Sequence, residues 1–104
     1  MLDDLLIPMY DDDYYPDVLV DELKQLLRPF AKQVAKGGLS NQAIYHEAHE
    51  TIGKINKMKP KFEDCDSSLD DTAADYIAEA MMMVLQEAGY FDIEMEELIA
   101  NREW

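Results

Sequence analysis

Apolar residues recur at three- and four-residue spacing in three long stretches of the chain, a spacing typical of amphipathic helices. The first helix is expected to start near Asp17, an aspartate that follows a proline, and to end at Gly37–Gly38. Its apolar positions are Leu19, Val20, Leu23, Leu26, Leu27 and Phe30. Pro29 lies inside this pattern, and a kink or a break is expected there, because proline lacks a backbone donor and clashes with the preceding turn.

The second helix begins at a well-defined cap. Ser40 is the expected N-cap residue, and Leu39 and Ile44 occupy the two positions of a hydrophobic staple. The apolar stripe of this helix consists of Ile44, Ala48, Ile52 and Ile55, with Tyr45 and Met58 beside it. These four positions fall within about 80° of arc and therefore form one apolar face of the second helix.

Pro60 is expected to stop the second helix, and residues 59–67 are expected to form a linker with Phe62 as its apolar anchor. The serine pair Ser67–Ser68 supplies the expected cap of the third helix, which ends at Gly89. Its apolar stripe consists of Leu69, Ala73, Tyr76, Ile77, Ala80 and Val84. A short fourth helix is expected to carry Met95, Leu98 and Ile99.

These patterns predict an all-α fold, because no convincing stretch alternates with the period of a β-strand. We expect residues 1–104 to form a single helical domain, a small antiparallel bundle of three to four helices. Residues 1–16 are expected to be an irregular, acidic and tyrosine-rich N-terminal segment with at most one short helical turn, because Pro8 and Pro16 punctuate them.

The third helix contains the methionine run Met81, Met82 and Met83. Three consecutive helical positions span about 200° of the helix, so these side chains cannot all face one core. At least one of them must face solvent, a second layer or another subunit. The run therefore predicts a homodimer contact.

The charge is divided into three regions. Residues 1–22 hold eight acids and no base, residues 23–61 hold eight bases and two acids, and residues 62–104 hold thirteen acids and Arg102. The regional charges of −8, +6 and −12 give the net charge of −14. This balance argues against direct binding of nucleic acid or of an anionic membrane, and it favours a basic protein as partner.

The remaining composition points to a cytoplasmic protein. One cysteine excludes an intramolecular disulfide framework, and no apolar run approaches the length of a membrane span. The first residues do not read as a signal peptide. No glycine-rich phosphate loop, nucleophile elbow or redox motif is present, so no cofactor is predicted and an enzyme is not indicated.

The two histidines supply a candidate metal cluster. His46, His49 and Glu50 lie on neighbouring turns of the second helix and present two nitrogens and one carboxylate. His46 lies opposite the apolar stripe and is expected to be solvated, and His49 lies at its boundary. An exposed or hydrogen-bonded histidine is much more common than a metal ligand, so solvated side chains are the favoured interpretation.

Three stretches resemble a small bacterial family known as domain of unknown function 5713. The N-terminal motif comprises Met9-Tyr10, Asp13-Tyr14-Tyr15-Pro16 and Leu19-Val20-Asp21. The middle stretch comprises Tyr45, Ala48-His49, Thr51 and Ile55-Asn56, and the C-terminal motif comprises Glu97-Leu98-Ile99-Ala100 and Arg102-Glu103-Trp104. The chain departs from the family pattern at Ala48, at Glu103, at Pro29 and in the methionine run. The resemblance implies a bacterial cytoplasmic protein and no particular mechanism.

The resembling motifs contain polar and aromatic residues that form a candidate pocket: Tyr10, Tyr14, His49, Asn56 and Arg102. His49 and Asn56 are two helical turns apart and therefore share a face. One interpretation is a polar network that ties both chain ends to the second helix. The alternative is a pocket lined by all five residues.

A protein-binding or regulatory module without catalytic activity is the favoured function. One alternative is a small enzyme, or a binder of metal or a small ligand, that uses His49 and nearby polar residues. The other is an acidic mimic of nucleic acid or a toxin-neutralising immunity protein. We call residues 1–22 and 62–104 the acidic ends and residues 23–61 the basic centre. Either the acidic ends cover the basic centre in the fold, or they leave it open to a partner.

Overall fold

The computed structural model describes residues 5–104, and the chain folds there into six helices without a strand. They are α1 (Ile7–Tyr10), α2 (Asp17–Lys36), α3 (Asn41–Asn56), α4 (Lys59–Asp64), α5 (Asp71–Glu87) and α6 (Met95–Leu98). The predicted all-α fold is confirmed. The first four residues of the predicted irregular segment lie outside the described residues, and α1 is a single helical turn within the rest of it.

The long helices α2, α3 and α5 run up, down and up. Residues 37–40 connect α2 to α3 by a short turn, which makes these two helices antiparallel. The Leu39 N–H donates to the Tyr90 hydroxyl at 3.1 Å, so the start of α3 lies beside the end of α5. The Tyr15 hydroxyl donates to Asp70 at 2.6 Å, so the start of α2 lies beside the start of α5. The bundle therefore has the predicted antiparallel topology.

The core is formed by one apolar stripe from each long helix. The side chains with the least exposure include Leu23, Leu27, Phe30 and Val34 of α2, Ile44, Ala48, Ile52 and Ile55 of α3, and Ala73, Ile77, Met81 and Leu85 of α5. Burying a large apolar side chain stabilises a fold by about 1.5–3 kcal/mol. These stripes therefore provide the main stabilising free energy of the bundle.

The first long helix continues through Pro29, so the expected break does not occur, and the alternative of a kink stays a prediction. Pro29 is exposed, whereas Leu27 and Phe30 beside it are 2% and 1% exposed. The burial of these neighbours holds α2 in one piece, even though Pro29 donates no hydrogen bond to the carbonyl of Gln25. The helix ends at Gly37, as predicted, with a φ of 76° that glycine adopts without strain.

The start of α3 is confirmed, but the predicted linker after it is wrong. The Ser40 hydroxyl accepts the Ala43 N–H at 3.1 Å. Residues 59–64 form the helix α4 instead of a linker, and Pro60 lies in its first turn, where the missing N–H is not needed. Phe62 is fully buried and is the predicted apolar anchor.

The cap of α5 is Asp70, and the predicted cap at Ser67–Ser68 is wrong. The Asp70 Oδ1 accepts the Ala73 N–H at 2.9 Å. Ser68 instead forms a hydrogen bond with Tyr14, and the Ser67 N–H donates to the Phe62 carbonyl at 2.9 Å. The two serines therefore belong to the turn between α4 and α5. Among the described residues, no helix is long and apolar enough to cross a membrane.

Replacing Pro29 with alanine should stabilise the protein. Pro29→Ala restores an N–H for the Gln25 carbonyl and removes the clash with the preceding turn, and the site is exposed. We expect the free energy of unfolding to rise by roughly 1–3 kcal/mol. Urea unfolding followed by circular dichroism measures this change, with an unchanged m-value as the check on the denatured state. An unchanged or lower free energy would contradict this account of α2.

Removing the α5 cap should cost more than removing the α3 cap. Asp70→Ala removes both the cap and the acceptor of the Tyr15 hydroxyl, whereas Ser40→Ala removes a cap alone. A lost cap costs about 0.5–2 kcal/mol, and the tertiary hydrogen bond adds about 1 kcal/mol. Urea unfolding of the two variants should show this difference. Equal losses would mean that the tyrosine contact contributes nothing.

Candidate functional site

Tyr10 and Tyr14 of the candidate pocket connect the N-terminal segment to α2 and to the turn before α5. The Tyr10 hydroxyl donates to the carboxylate of Asp21 on α2. The Tyr14 hydroxyl forms a 2.8 Å hydrogen bond with the Ser68 hydroxyl, just before α5. Each tyrosine therefore has a structural partner close to the start of a long helix.

Tyr15 fixes the position of the N-terminal segment in the core. Its side chain is 2% exposed, and its ring contacts the edges or faces of Phe62 and Tyr76 at centroid distances of 6.4 and 6.2 Å. Its hydroxyl reaches the α5 cap, Asp70. Aromatic pairs in this perpendicular geometry each add about 0.5–1.5 kcal/mol beyond burial. Tyr15 thus joins the starts of α2 and α5.

Residues 90–104, which we call the returning segment, run back along α3, and a polar face of that helix binds their main chain. The Tyr45 hydroxyl accepts the Glu94 N–H at 3.0 Å. One turn further along α3, His49 Nε2 donates to the Glu97 carbonyl at 2.6 Å. A carbonyl can only accept, so this bond assigns a proton to Nε2. His49 is therefore used to position the main chain.

Asn56 continues the same face of α3, two turns after His49. Its side-chain amide donates to the Asn101 carbonyl at 3.2 Å and accepts the Glu103 N–H at 3.0 Å. The Asn101 side chain in turn donates to the His49 carbonyl at 2.9 Å. These reciprocal bonds fix the last residues against α3. The shared face predicted for His49 and Asn56 is confirmed.

The histidine and glutamate cluster does not assemble. His46 Nε2 lies 3.3 Å from Glu50 Oε1 in an exposed pair, while His49 points to the returning segment. Within residues 5–104, no group of three or more histidine, cysteine, aspartate or glutamate side chains is placed to hold a metal ion. The geometry gives His46 and Glu50 a surface role.

The five candidate pocket residues fall into separate groups. Tyr10 and Tyr14 bond to Asp21 and Ser68, whereas His49 and Asn56 bond to the returning segment. Arg102 belongs to the returning segment, and its side chain reaches Asp71 at the start of α5. His49 and Asn56 bind the neighbours of Arg102 in the chain, whereas the two tyrosines form separate contacts.

A cavity of about 630 Å³ opens between the start of α5 and the returning segment. We call it the acidic groove, and its charged and aromatic lining consists of Asp71, Asp75, Glu96, Glu103, Arg102 and Trp104. Four carboxylates face one guanidinium, so the groove has a net negative charge. Of these residues, only Arg102 belongs to the candidate pocket predicted from the sequence, and Glu103 and Trp104 belong to the C-terminal motif. The four-residue spacing of Asp71 and Asp75 on α5 could have indicated a shared face.

Arg102 and Trp104 are joined inside the acidic groove. The guanidinium lies over the indole ring at 5.5 Å from its centroid and donates to the main-chain oxygen of Trp104. It also lies 3.2 Å from Asp71 Oδ1, whose side chain is 92% exposed. The buried indole Nε1 has no hydrogen-bond acceptor among the described residues. The groove therefore already combines an aromatic face with a carboxylate around a guanidinium.

The acidic ends leave most of the basic centre open. Six of its eight basic side chains are exposed: Lys32, Lys36, Lys54, Lys57, Lys59 and Lys61. Lys61 pairs with Glu22 at 3.0 Å, and Lys24 lies 5.7 Å from the centre of the Tyr10 ring. A second cavity, of about 420 Å³, opens here between α2 and the end of α3. We call it the basic groove, with Lys54, Lys57 and Lys61 at its rim, Glu22 beside them, and Leu26 and Met58 in its apolar wall.

The methionine run faces three environments. Met81 is fully buried, Met82 is half-buried against the core, and Met83 is 43% exposed. The expectation that one methionine must leave the core is confirmed. Met81 cannot reach a partner, so the predicted dimer contact is restricted to Met82 and Met83, and it stays a prediction.

Two tyrosines of the N-terminal segment have raised pKa values. Burial, the hydrogen bond to Asp21 and the negative charge of that carboxylate raise the pKa of Tyr10 to about 12. Burial and the equivalent contacts with Asp70 raise the pKa of Tyr15 well above its ordinary value of 10. In both cases a phenolate would face a carboxylate in a partly dry site, so the fold requires the neutral phenol.

The protein should lose stability in alkaline solution as these tyrosines ionise. Above about pH 10, tyrosines of the unfolded chain release their protons, whereas Tyr10 in the folded state holds its proton up to about pH 12. In this window the folded state binds more protons, so the free energy of unfolding falls as the pH rises. Urea unfolding at several pH values measures the slope. Tyr10→Phe with Tyr15→Phe should make the slope shallower, and an unchanged slope would refute the assignment.

Comparison with known proteins identifies the family of the chain. No curated protein and no solved structure shows significant similarity to it. The model of a family of unknown function, DUF5713, matches residues 2–104. The match covers the tyrosine segment, the polar face of α3 and the returning segment, as the resemblance of the three motifs predicted. The chain therefore belongs to the DUF5713 family of unknown function.

Proposed function

We propose that the protein acts by binding, and that its acidic groove takes a basic segment of a partner protein. The observation that supports this most is the set of four carboxylates, Asp71, Asp75, Glu96 and Glu103, around the single tryptophan of the chain. Cavities of roughly 300–1,000 Å³ are typical of binding sites, and this groove has about 630 Å³. Its charge selects a cationic ligand, and Trp104 offers an aromatic contact surface.

Arg102 shows which chemistry the acidic groove accommodates. Its guanidinium contacts both the face of Trp104 and the carboxylate of Asp71. An arginine or lysine of a partner would meet the same two kinds of group, together with Asp75 and Glu96. Cation–π contacts contribute about 0.5–2 kcal/mol, and tryptophan is among the residues that most often dominate binding energy.

A peptide fits the groove better than a bare cation. The four carboxylates line a groove of about 630 Å³, so their charges are spread over a larger surface than one cation covers. A peptide can present several basic side chains to these carboxylates at once. We therefore favour an extended basic segment over a metal or a small amine.

Binding is favoured over catalysis by the use of the polar residues. His49, the residue on which an enzyme would depend, donates its Nε2 proton to a main-chain carbonyl and so positions the returning segment. The acidic side chains of the groove are exposed. Acid–base catalysts in enzymes usually lie in buried sites that exclude water, and these exposed side chains do not.

An immunity protein or an acidic mimic of nucleic acid would use the same negative surface. A mimic presents its charge to a broad phosphate-binding face, whereas here the carboxylates surround a recessed aromatic ring. That arrangement favours a partner that inserts a side chain. As the partner of the acidic groove, we therefore favour a basic protein, including a neutralised toxin, over a protein that binds nucleic acid.

Tryptophan fluorescence tests the proposal directly, because Trp104 is the only tryptophan. Titration with a short oligo-arginine peptide should give a saturable change in emission at low salt. Asp75→Asn with Glu96→Gln should weaken the peptide affinity by about 2- to 30-fold, since exposed ion pairs contribute about 0.2–1 kcal/mol each. The affinity should also fall with added salt.

The matched control removes two charges elsewhere. Glu63 and Asp64 are exposed at the end of α4 and do not line the acidic groove. The variant Glu63→Gln with Asp64→Asn has the same net charge as the groove variant and should bind the peptide as the unmodified chain does. Equal weakening in the two variants, or no saturable change at all, would refute binding in the groove.

A further inference from the structure

The basic groove has an uncommon combination of an apolar wall and a cationic rim. Leu26 and Met58 supply apolar surface between α2 and the end of α3. Lys54, Lys57 and Lys61 carry three positive charges around it, and one carboxylate, Glu22, pairs with Lys61. Such a groove fits a segment that carries both an apolar side chain and negative charges.

The chain displays a segment of that chemistry on its own surface. Phe91, between α5 and α6, is 72% exposed, and Met95, the first residue of α6, is 38% exposed. Asp92 and Glu94 alternate with them and are also exposed. Burying a phenylalanine side chain is worth about 1.5–3 kcal/mol, so its exposure is unfavourable unless another surface covers it. We call residues 91–95 the acidic-apolar segment.

The acidic-apolar segment cannot reach the basic groove of its own molecule. The Glu94 N–H is bound by Tyr45 near the start of α3, whereas the groove lies at the other end of that helix. Tyr45 and Lys57 are twelve residues apart, which corresponds to about 18 Å along the helix axis. A phenylalanine side chain does not span this distance. The two surfaces can meet only between two molecules.

We propose that the acidic-apolar segment of one molecule docks into the basic groove of a second copy of the chain. Phe91 then covers Leu26 and Met58, while Asp92 and Glu94 face the lysines of the rim. A groove of about 420 Å³ is large enough for one aromatic ring with its neighbours. The contact is heterologous, because each molecule contributes a different surface to it. It is independent of the proposed function, since the acidic groove contributes none of these residues.

Charge and burial favour a second copy over an unrelated acidic protein. Both halves of the contact are present at equal concentration wherever the chain is made. The opposite charges of the two surfaces attract each other at short range, and the apolar groups provide the burial that must outweigh the repulsion between two copies of net charge −14. Association through this contact would also bury most of the exposed Phe91 side chain.

Analytical ultracentrifugation with two complementary variants tests the contact. The unmodified chain should show a weight-average mass that rises above 12.0 kDa with concentration. Lys54→Glu with Lys57→Glu disables the groove, and Phe91→Ser disables the segment. Each variant alone should associate at least about tenfold more weakly, because like charges across an interface cost several kcal/mol and the apolar anchor is lost.

An equimolar mixture of the two variants gives the decisive measurement. The Phe91→Ser chain retains an intact groove, and the groove variant retains an intact segment, so the mixture should regain association through one contact. Met83→Gln is the matched control, because Met83 is exposed on α5 and belongs neither to the basic groove nor to the acidic-apolar segment. All substituted positions are exposed, and circular dichroism confirms that each variant folds. A monomeric unmodified chain, no recovery in the mixture, or loss of association in Met83→Gln alone would each overturn the proposal.

Discussion

The binding of the returning segment by one face of α3 is the interaction on which the candidate site depends. Tyr45, His49 and Asn56 hold three successive points of a main chain that otherwise has only the short helix α6. Main-chain groups that approach a bundle need partners, because unpaired buried amides and carbonyls are costly. The polar side chains on this face of α3 are those partners. It thereby places Arg102 and Trp104 against α5 and creates the acidic groove.

The fold keeps its positive and negative surfaces apart. The basic groove lies between α2 and the end of α3, and the acidic groove lies between α5 and the returning segment. Exposed ion pairs contribute little to stability, so the fold gains little by mixing these charges. Separated surfaces instead produce fields that extend about a Debye length into solution and orient approaching molecules. A strongly acidic protein can thus present a cationic surface to one partner and an anionic surface to another.

The apolar spacing was sufficient to predict the three long helices, because helical burial repeats in the sequence with a regular period. Local capping was harder, since Ser67–Ser68 and Asp70 offer equivalent side chains and a tertiary contact with Tyr15 decides between them. Pro60 was interpreted as a stop, although proline is equally favourable in a first turn. The acidic groove could not be predicted, because it joins α5 to residues about thirty positions later. His49 and Asn56 were identified, but their partners are main-chain atoms, which leave no sequence signal.

One wall of the acidic groove consists of the residues after Leu98, which are stabilised mainly by a few hydrogen bonds to α3. Intramolecular hydrogen bonds contribute about 0.5–1.5 kcal/mol each, while ordering a residue costs about 1–2 kcal/mol. The last residues after the buried Leu98 therefore open more easily than the bundle core. Under the proposed function, a ligand of the acidic groove requires these residues to be folded against α5, so its apparent affinity includes the population of that arrangement. Substitutions at Asn56, which does not line the groove, would thus change the apparent affinity through local folding.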